Sequence, residues 1–213
     1  MKFCGKCQIC NSNNLVPINS FCIFTNQPIY RFKCCDCGFI FGPINYIEMD
    51  KSELINKYKE LYSNYQECDS TEREVKTFLS LNPKIDGKYL NFGSGVWSKS
   101  TKIIKEMGFD LTCYDFSFDV GTIDGLKFDG IISNNVIEHL QYPIESFKFL
   151  KSLLKDNGIM FHSSPCFKYK YEFSIFHLNF LIGKSVEILA DKAGLNIEHF
   201  FDNGSDFIIK KFY

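Results

Sequence analysis

The chain has 213 residues, a formal net charge of −1 and a pI near 6.4, enough for one substantial α/β domain with a small appendage. That balance leaves no electrostatic footprint for duplex nucleic acid or an anionic membrane surface, and apolar runs such as FHLNFLIG are too short and interrupted to span a bilayer. The N-terminal MKFCGKCQIC has neither the apolar core nor the cleavage site of a secretory signal, so a cytoplasmic, reducing setting is expected.

Residues 1–45 form the first zone, short-stranded and rich in cysteine. Of ten cysteines, six fall in two clusters within the first 37 residues. Disulfide frameworks rarely cluster this way in a leaderless chain, whereas metal sites do. Cys7-Gln-Ile-Cys10 and Cys34-Cys35-Asp36-Cys37 are CxxC pairs separated by 23 residues. Each pair presents two thiolates from one tight turn, and two turns complete a tetrahedral four-cysteine zinc site in a ribbon-like module. Asn11 and Gly38, which follow the pairs, tolerate the left-handed backbone such knuckles use. A four-thiolate zinc has no open position and so stabilises rather than catalyses. Cys4 is also spaced CxxC with Cys7, which leaves a second register open; Cys10 is preferred because CQICNS and CCDCGF then match, with Cys4 and Cys35 as bystanders. A redox role competes, but that motif normally opens a helix in a thioredoxin-like unit.

Residues 46–82 form a helical linker. Leu54, Ile55, Tyr58, Leu61 and Tyr62, then Val75, Phe78 and Leu79, recur at helical spacing, with Asp50 or Ser52 capping the first helix and Ser70 or Thr71 the second. From 83 to 213 strands alternate with helices. KYLNF is a strand, SKSTKIIKEMG a helix, and DLTCYD and KFDGIISNN strands. PIESFKFLKSLLKDNG is a helix stopped at Gly158, GIMFHSS a strand, and GKSVEILADKAG a helix ending at Gly194. NIEHFF and DFIIKKFY are two strands joined at Asn203-Gly204. This order predicts a Rossmann-like, doubly wound, mostly parallel sheet with a C-terminal antiparallel hairpin.

In such a sheet ligands bind beyond the carboxyl ends of the strands. Gly93 and Gly95, in the turn after KYLNF, let the backbone approach a ligand. Asp115 ends the next strand, 20 residues after Gly95, where a carboxylate accepts ribose hydroxyls. A dinucleotide fingerprint would have its third glycine where Ser98 stands, so an oxidoreductase is the weaker reading.

YLNFGSGVWSKS, GFDLTCYDFS and KFDGIISNNVIEHLQYPIESFKFLKSLLKDNGIMFHSSP together resemble the class I S-adenosylmethionine-dependent methyltransferases. The late segment FSIFHLNFLIGKSVEILADKAGLNIEHF resembles that family's too, so the resemblance spans roughly residues 85–213. The knuckles and the YKELYSNY helix resemble a subset with an N-terminal zinc module, several acting on sugars or sugar nucleotides. The resemblance implies that Asn91, Gly93 and Gly95 line the methionine end of S-adenosylmethionine and that Asp115 holds its ribose. It implies that Asn134 and Asn135 lie beside the cofactor, with Glu138 and His139 near the methyl group. The chain departs from the family at Asn91, usually an acid, and at Trp97, usually small. Only 13 residues separate Asp115 from Asp129, so the third strand and its adenine-contacting loop are expected to be shortened or absent.

His139 is the candidate base, since an unperturbed His titrates near neutral pH; Glu138 orients it or anchors the following helix. His162 and His177 are candidates for the cleft wall, His199 for an exposed strand position, and Tyr169 and Tyr171 for hydroxyl donors or stacking platforms. The aromatics of 167–180 would suit a partly apolar acceptor pocket. The expected function is methyl transfer to a small hydroxylated acceptor, a sugar, sugar nucleotide or glycan. The rival from another class is a catalytically degenerate fold serving as a zinc-stabilised scaffold.

Overall fold

The computed structural model describes residues 4–64, 69–95, 99–115, 117–118, 120–169, 171–201 and 206–211. Trp97, Ser98, Cys68 and the Asn203-Gly204 turn lie outside them. In chain order the elements are β1 (Leu15–Phe21), β2 (Pro28–Cys34), β3 (Ile40–Phe41), α1 (Ile44–Ile47), α2 (Lys51–Asn64), α3 (Thr71–Leu79), β4 (Lys88–Phe92), α4 (Lys99–Glu106) and β5 (Asp110–Tyr114). There follow β6 (Phe128–Asn134), α5 (Pro143–Leu153), β7 (Leu154–Ser163), β8 (Asn179–Phe180), α6 (Ser185–Ala193), β9 (Leu195–Phe200) and β10 (Asp206–Lys211).

The larger sheet runs β5-β4-β6-β7-β10-β9. Its first four strands are parallel, and β10 is antiparallel to both neighbours. The two strands expected at the C-terminal end are thus present, with the last one inserted beside β7. Tyr89 to Phe92 of β4 are all buried, as a central parallel strand covered on both faces must be. On one face Leu90, Ile131 and Met160 pack with Phe147 and Leu150 of α5 and Val186 and Leu189 of α6. On the other, Tyr89, Ile132 and Phe161 pack with Phe78 of α3 and Ile104 of α4.

Two local expectations change. Helix α5 ends at Leu153, not at Gly158. Leu154 is already extended at φ −76°, ψ 141° and pairs with Phe128. Both leucines reach the core this way, whereas a continued helix would turn one of them toward solvent. Ser70 holds the N-cap position of α3 as expected, but its side chain makes no cap bond; the Asp69 carboxylate accepts the Thr71 amide instead, at 3.0 Å, as Asp50 does for Ser52 at 2.8 Å. As expected from the short spacing, no further strand lies between β5 and β6 among the described residues. The chain instead turns back through an Asp115–Val120 bridge.

The N-terminal sheet runs β1-β2-β3-β8, so its last strand comes from residues 179–180. Backbone bonds tie this module to the same late segment: Lys184 N–H to the Cys37 carbonyl at 2.9 Å and Gly42 N–H to the Leu178 carbonyl at 3.0 Å. Packing there is tight, since a Cβ on Gly38 would lie 2.7 Å from the Ile182 carbonyl oxygen. Arg31 of β2 is 1% exposed, and its guanidinium donates to the carbonyls of Glu172, Ser174 and His177. Among the described residues no helix is long and apolar enough to cross a membrane.

Candidate active site and metal centre

The four predicted ligands converge. Cys7 and Cys37 Sγ stand 3.6 Å apart, Cys10 and Cys34 Sγ 3.5 Å apart, and all four lie within 4.8 Å of one another. The two knuckles repeat one backbone pattern. Asn11 N–H bonds the Cys7 carbonyl and Gly38 N–H the Cys34 carbonyl, while Cys7 N–H reaches Ser12 and Cys34 N–H reaches Phe39. Asn11 and Gly38 adopt φ 66° and 86°, the left-handed geometry expected of them. Cys4 and Cys35 are exposed and outside the cluster, so the register built on Cys10 is the one formed. The Cys37 hydrogen bond holds the Cys7 thiol down at about 5, and the same contact pushes Cys37 up. The group is compatible with a tetrahedral metal site.

A cleft of about 1340 Å³ opens at the carboxyl ends of β4, β5 and β6, where the sheet's order reverses around β4. Gly93, Gly95, Asp115, Asn134, Asn135 and His139 all line it. Gly93 and Gly95 have φ 75° and 66°, and a Cβ on Gly95 would meet nothing within 4 Å. The turn therefore leaves a space above its backbone that any side chain would fill. The Asp115 carboxylate accepts the Gly95 amide at 3.0 Å and the Ser117 amide at 2.8 Å, which fixes it at the rim of that space. Asn91 is 2% exposed and sits beneath the turn, outside the lining.

Helix α3 braces the other wall. Thr77 donates to Asn134 Oδ1 at 2.9 Å, and Arg73 Nε donates to Ser163 Oγ at 2.9 Å. Glu74, also on α3, lines the cleft and accepts from Ser70 at 2.6 Å and from Ser100. Sequence reasoning passed over Glu74 because an acid on a predicted surface helix has no local signature. Tyr58, Lys51 and Lys59 of α2 and Tyr142 and Phe149 near α5 also line the cleft. Those aromatics replace the expected contribution of residues 167–180, since none of the described residues there lines it. Phe176 instead packs on Tyr46 and Tyr58, and Tyr169 covers Phe180.

Glu138 is fully buried behind His139; its Oε2 accepts from Ser164 at 2.7 Å, and burial pushes its carboxyl upward. His139 Nδ1 meets the Phe176 carbonyl at 2.9 Å, so that nitrogen carries the proton and Nε2 the lone pair. His162, expected toward the cleft, is fully buried in β7 against Ser133, Phe147 and Phe207, and burial lowers its pKa to about 3. His177 packs 5.0 Å from the His139 ring and is lowered to about 2, chiefly by burial. His199 is exposed.

A parallel sheet with an antiparallel end, a glycine turn over open space and a strand-end acid define the architecture of a methyltransferase that binds a nucleoside cofactor. The general methyltransferase-domain family matches residues 65–200, and the chain belongs to it, as an S-adenosylmethionine-dependent methyltransferase. No curated protein matches the chain in sequence. Among solved structures it is similar to the CcbJ methyltransferase from Streptomyces caelestis, at 9% identity over 71% of this chain and 95% of that one, with a TM-score of 0.50. It is similar also to phosphoethanolamine N-methyltransferase 2 of Haemonchus contortus in complex with S-adenosyl-L-methionine. There the identity is 14% over 76% of this chain and 57% of that one, with a TM-score of 0.50. At these identities the similarity is one of fold.

Proposed function

We propose that this enzyme, in a cytoplasmic setting, methylates a hydroxyl of a small acceptor, a sugar, sugar nucleotide or glycan. The observation that carries this reading is the two-ended cleft of about 1340 Å³, larger than one cofactor needs. Its glycine end is shaped for a nucleoside; its α2 end offers Tyr58 and Tyr142 as stacking faces and Lys51 and Lys59 as partners for a phosphorylated sugar.

When bound, S-adenosylmethionine supplies an electrophilic methyl group on a sulfonium sulfur. Gly93 and Gly95 admit its methionine end, and Asp115 accepts its ribose hydroxyls. Glu74 supplies the negative charge for its ammonium that Asn91, buried and neutral, does not. Asn134 and Asn135, held by Thr77 and Arg73, support its other side. His139 activates the acceptor's hydroxyl from the opposite wall. Glu138 touches no acceptor; it is a positioning residue beneath His139.

The four thiolates hold a structural zinc. A tetrahedral ion with Zn–S bonds of about 2.3 Å separates its sulfurs by about 3.8 Å, near the 3.5 and 3.6 Å of the two closest pairs. No coordination position is left for chemistry, so this zinc secures the module rather than the reaction. An acceptor screen with methyl-labelled S-adenosylmethionine tests the assignment. Label should pass to a hydroxylated sugar compound in the native enzyme and fail to pass in His139→Ala; label passing only to amines would overturn it.

A further inference from the structure

Behind the acceptor wall lies a group of side chains that the cleft chemistry leaves unexplained. Glu138, His139 and His177 each bring one ligand atom, all within 4.8 Å of one another. Glu138 is 0% exposed, and its Oε1 has no hydrogen-bond partner; neither has His177 Nδ1, also buried. Two acceptor atoms enclosed together are costly unless something electropositive, the carboxyl's own proton or a cation, lies between them.

The surroundings are those of a ligand set rather than of a packing accident. His139 gives its Nδ1–H to the Phe176 carbonyl at 2.9 Å, and the His177 ring is flanked edge-on by the Tyr171 and Phe180 rings at 6.2 and 6.3 Å. The other oxygen of Glu138 is held by Ser164 at 2.7 Å. Metal-bound imidazoles almost always spend their second nitrogen on a carbonyl or carboxylate, and ligating carboxylates are themselves hydrogen-bonded. Glu138 and His139 have that outer partner, and His177 Nδ1 keeps its lone pair in reserve.

We propose that Glu138, His139 and His177 form a second metal site, which holds a divalent transition ion such as Mn²⁺, Fe²⁺ or Zn²⁺ and offers its open positions to the acceptor's hydroxyls. Two imidazoles and one carboxylate suit such ions and leave coordination positions unfilled. An ion with bonds of about 2.0–2.2 Å spans ligand atoms up to about 4.4 Å apart, so closure asks for shifts of less than about an ångström. His139 lines the cleft, and through it the ion meets the acceptor; with Nδ1–H on the Phe176 carbonyl and Nε2 on the ion, the proton of an ion-bound hydroxyl passes to water in the cleft rather than to the His139 ring. The site's use by an acceptor rests on the methyltransferase reading above, whereas its occupancy by an ion does not.

Mn²⁺ is the probe, because a four-thiolate centre prefers softer ions and keeps its zinc. Titration of the zinc-loaded protein, followed by loss of the free-ion electron paramagnetic resonance signal, should show one Mn²⁺ per chain at submillimolar affinity. Glu138→Gln, which preserves the shape of the buried side chain, and His177→Ala should each weaken it at least tenfold. Calorimetry with S-adenosylhomocysteine reports on the cofactor end of the same samples and should be unchanged within about twofold. Absence of Mn²⁺ binding to the native protein, or equal binding by both variants, overturns the proposal. If Mn²⁺ binds as described while S-adenosylhomocysteine does not bind the native protein, the ion site stands and the cofactor reading falls.

Discussion

Arg31→Met tests how the N-terminal sheet is fastened to the late segment 172–178. The guanidinium is 1% exposed, lies 5.2 Å from the Phe180 ring centre and donates at 2.8, 2.7 and 3.1 Å to the carbonyls of Glu172, Ser174 and His177. Charge-assisted bonds are worth about 1.5–3 kcal/mol each, a gross loss of about 4–9 kcal/mol. Two effects offset it. Burying the charge costs several kcal/mol that methionine avoids. Glu172 and Ser174 also keep other donors, the Ser20 hydroxyl at 2.9 Å and the His177 amide at 3.2 Å. Only the His177 carbonyl is left with neither, so the net loss is about 2–4 kcal/mol. For a chain of this size that lowers Tm by about 5–12 °C. Scanning calorimetry measures it, and amide exchange should quicken across 172–178, the segment that Arg31 clamps. Affinity for S-adenosylhomocysteine should hold within about twofold, because Gly93, Gly95 and Asp115 are carried by β4 and β5. A loss below about 1 kcal/mol with unchanged exchange would refute the idea that Arg31 joins the metal module to the wall behind His139.

Gly93→Ala and Gly95→Ala should differ in kind. Both residues have positive φ, but a Cβ on Gly93 would lie 2.4 Å from Val136 Cγ2 while one on Gly95 meets nothing within 4 Å. The first should cost about 2–4 kcal/mol of stability from strain plus overpacking. The second should cost about 1–2 kcal/mol from backbone strain alone, yet lower S-adenosylhomocysteine affinity at least tenfold, because the new methyl fills the space above the turn. Denaturant melts and calorimetry on the pair check this. His162 sets a pH dependence. Its folded pKa, about 3, lies below the ordinary 6.5 because burial disfavours the charged ring. The unfolded chain therefore binds the extra proton, and stability is full above about pH 6.5 and falls as the pH drops toward 3. The slope is about 1.4 kcal/mol per pH unit. Urea melts at pH 7 and 4.5 should show His162→Asn losing about 2–3 kcal/mol less than the native protein over that interval.

Much of the scaffold was legible because it is written in short-range patterns. Buried parallel strands show as apolar runs such as YLNF and GIIS, glycine ends α6 at Gly194, and metal knuckles show as CxxC spacing. Where α5 ends was not legible, because Leu153 and Leu154 fit a helix and a strand equally well until the pairing with Phe128 decides. The site was half legible. Gly93, Gly95, Asp115, Asn134, Asn135 and His139 lie next to a strand end in sequence, and the cleft gathers them. Glu74 on a helix, Arg31 on a strand 141 residues from Glu172, and His177 against Glu138 are joined only by the tertiary fold. Their residue types in isolation describe ordinary surface or aromatic positions.

On the proposed reading, the cleft over β4 and β5 takes an S-adenosyl cofactor through Asp115 and Glu74. Calorimetry with S-adenosylhomocysteine on the native protein, Asp115→Ala and Glu74→Gln tests it most directly. The native protein should bind at one site per chain, and each variant should lose at least about tenfold, or 1.4 kcal/mol, with the fold intact. No heat from the native protein at millimolar ligand, or native affinity in both variants, would contradict it.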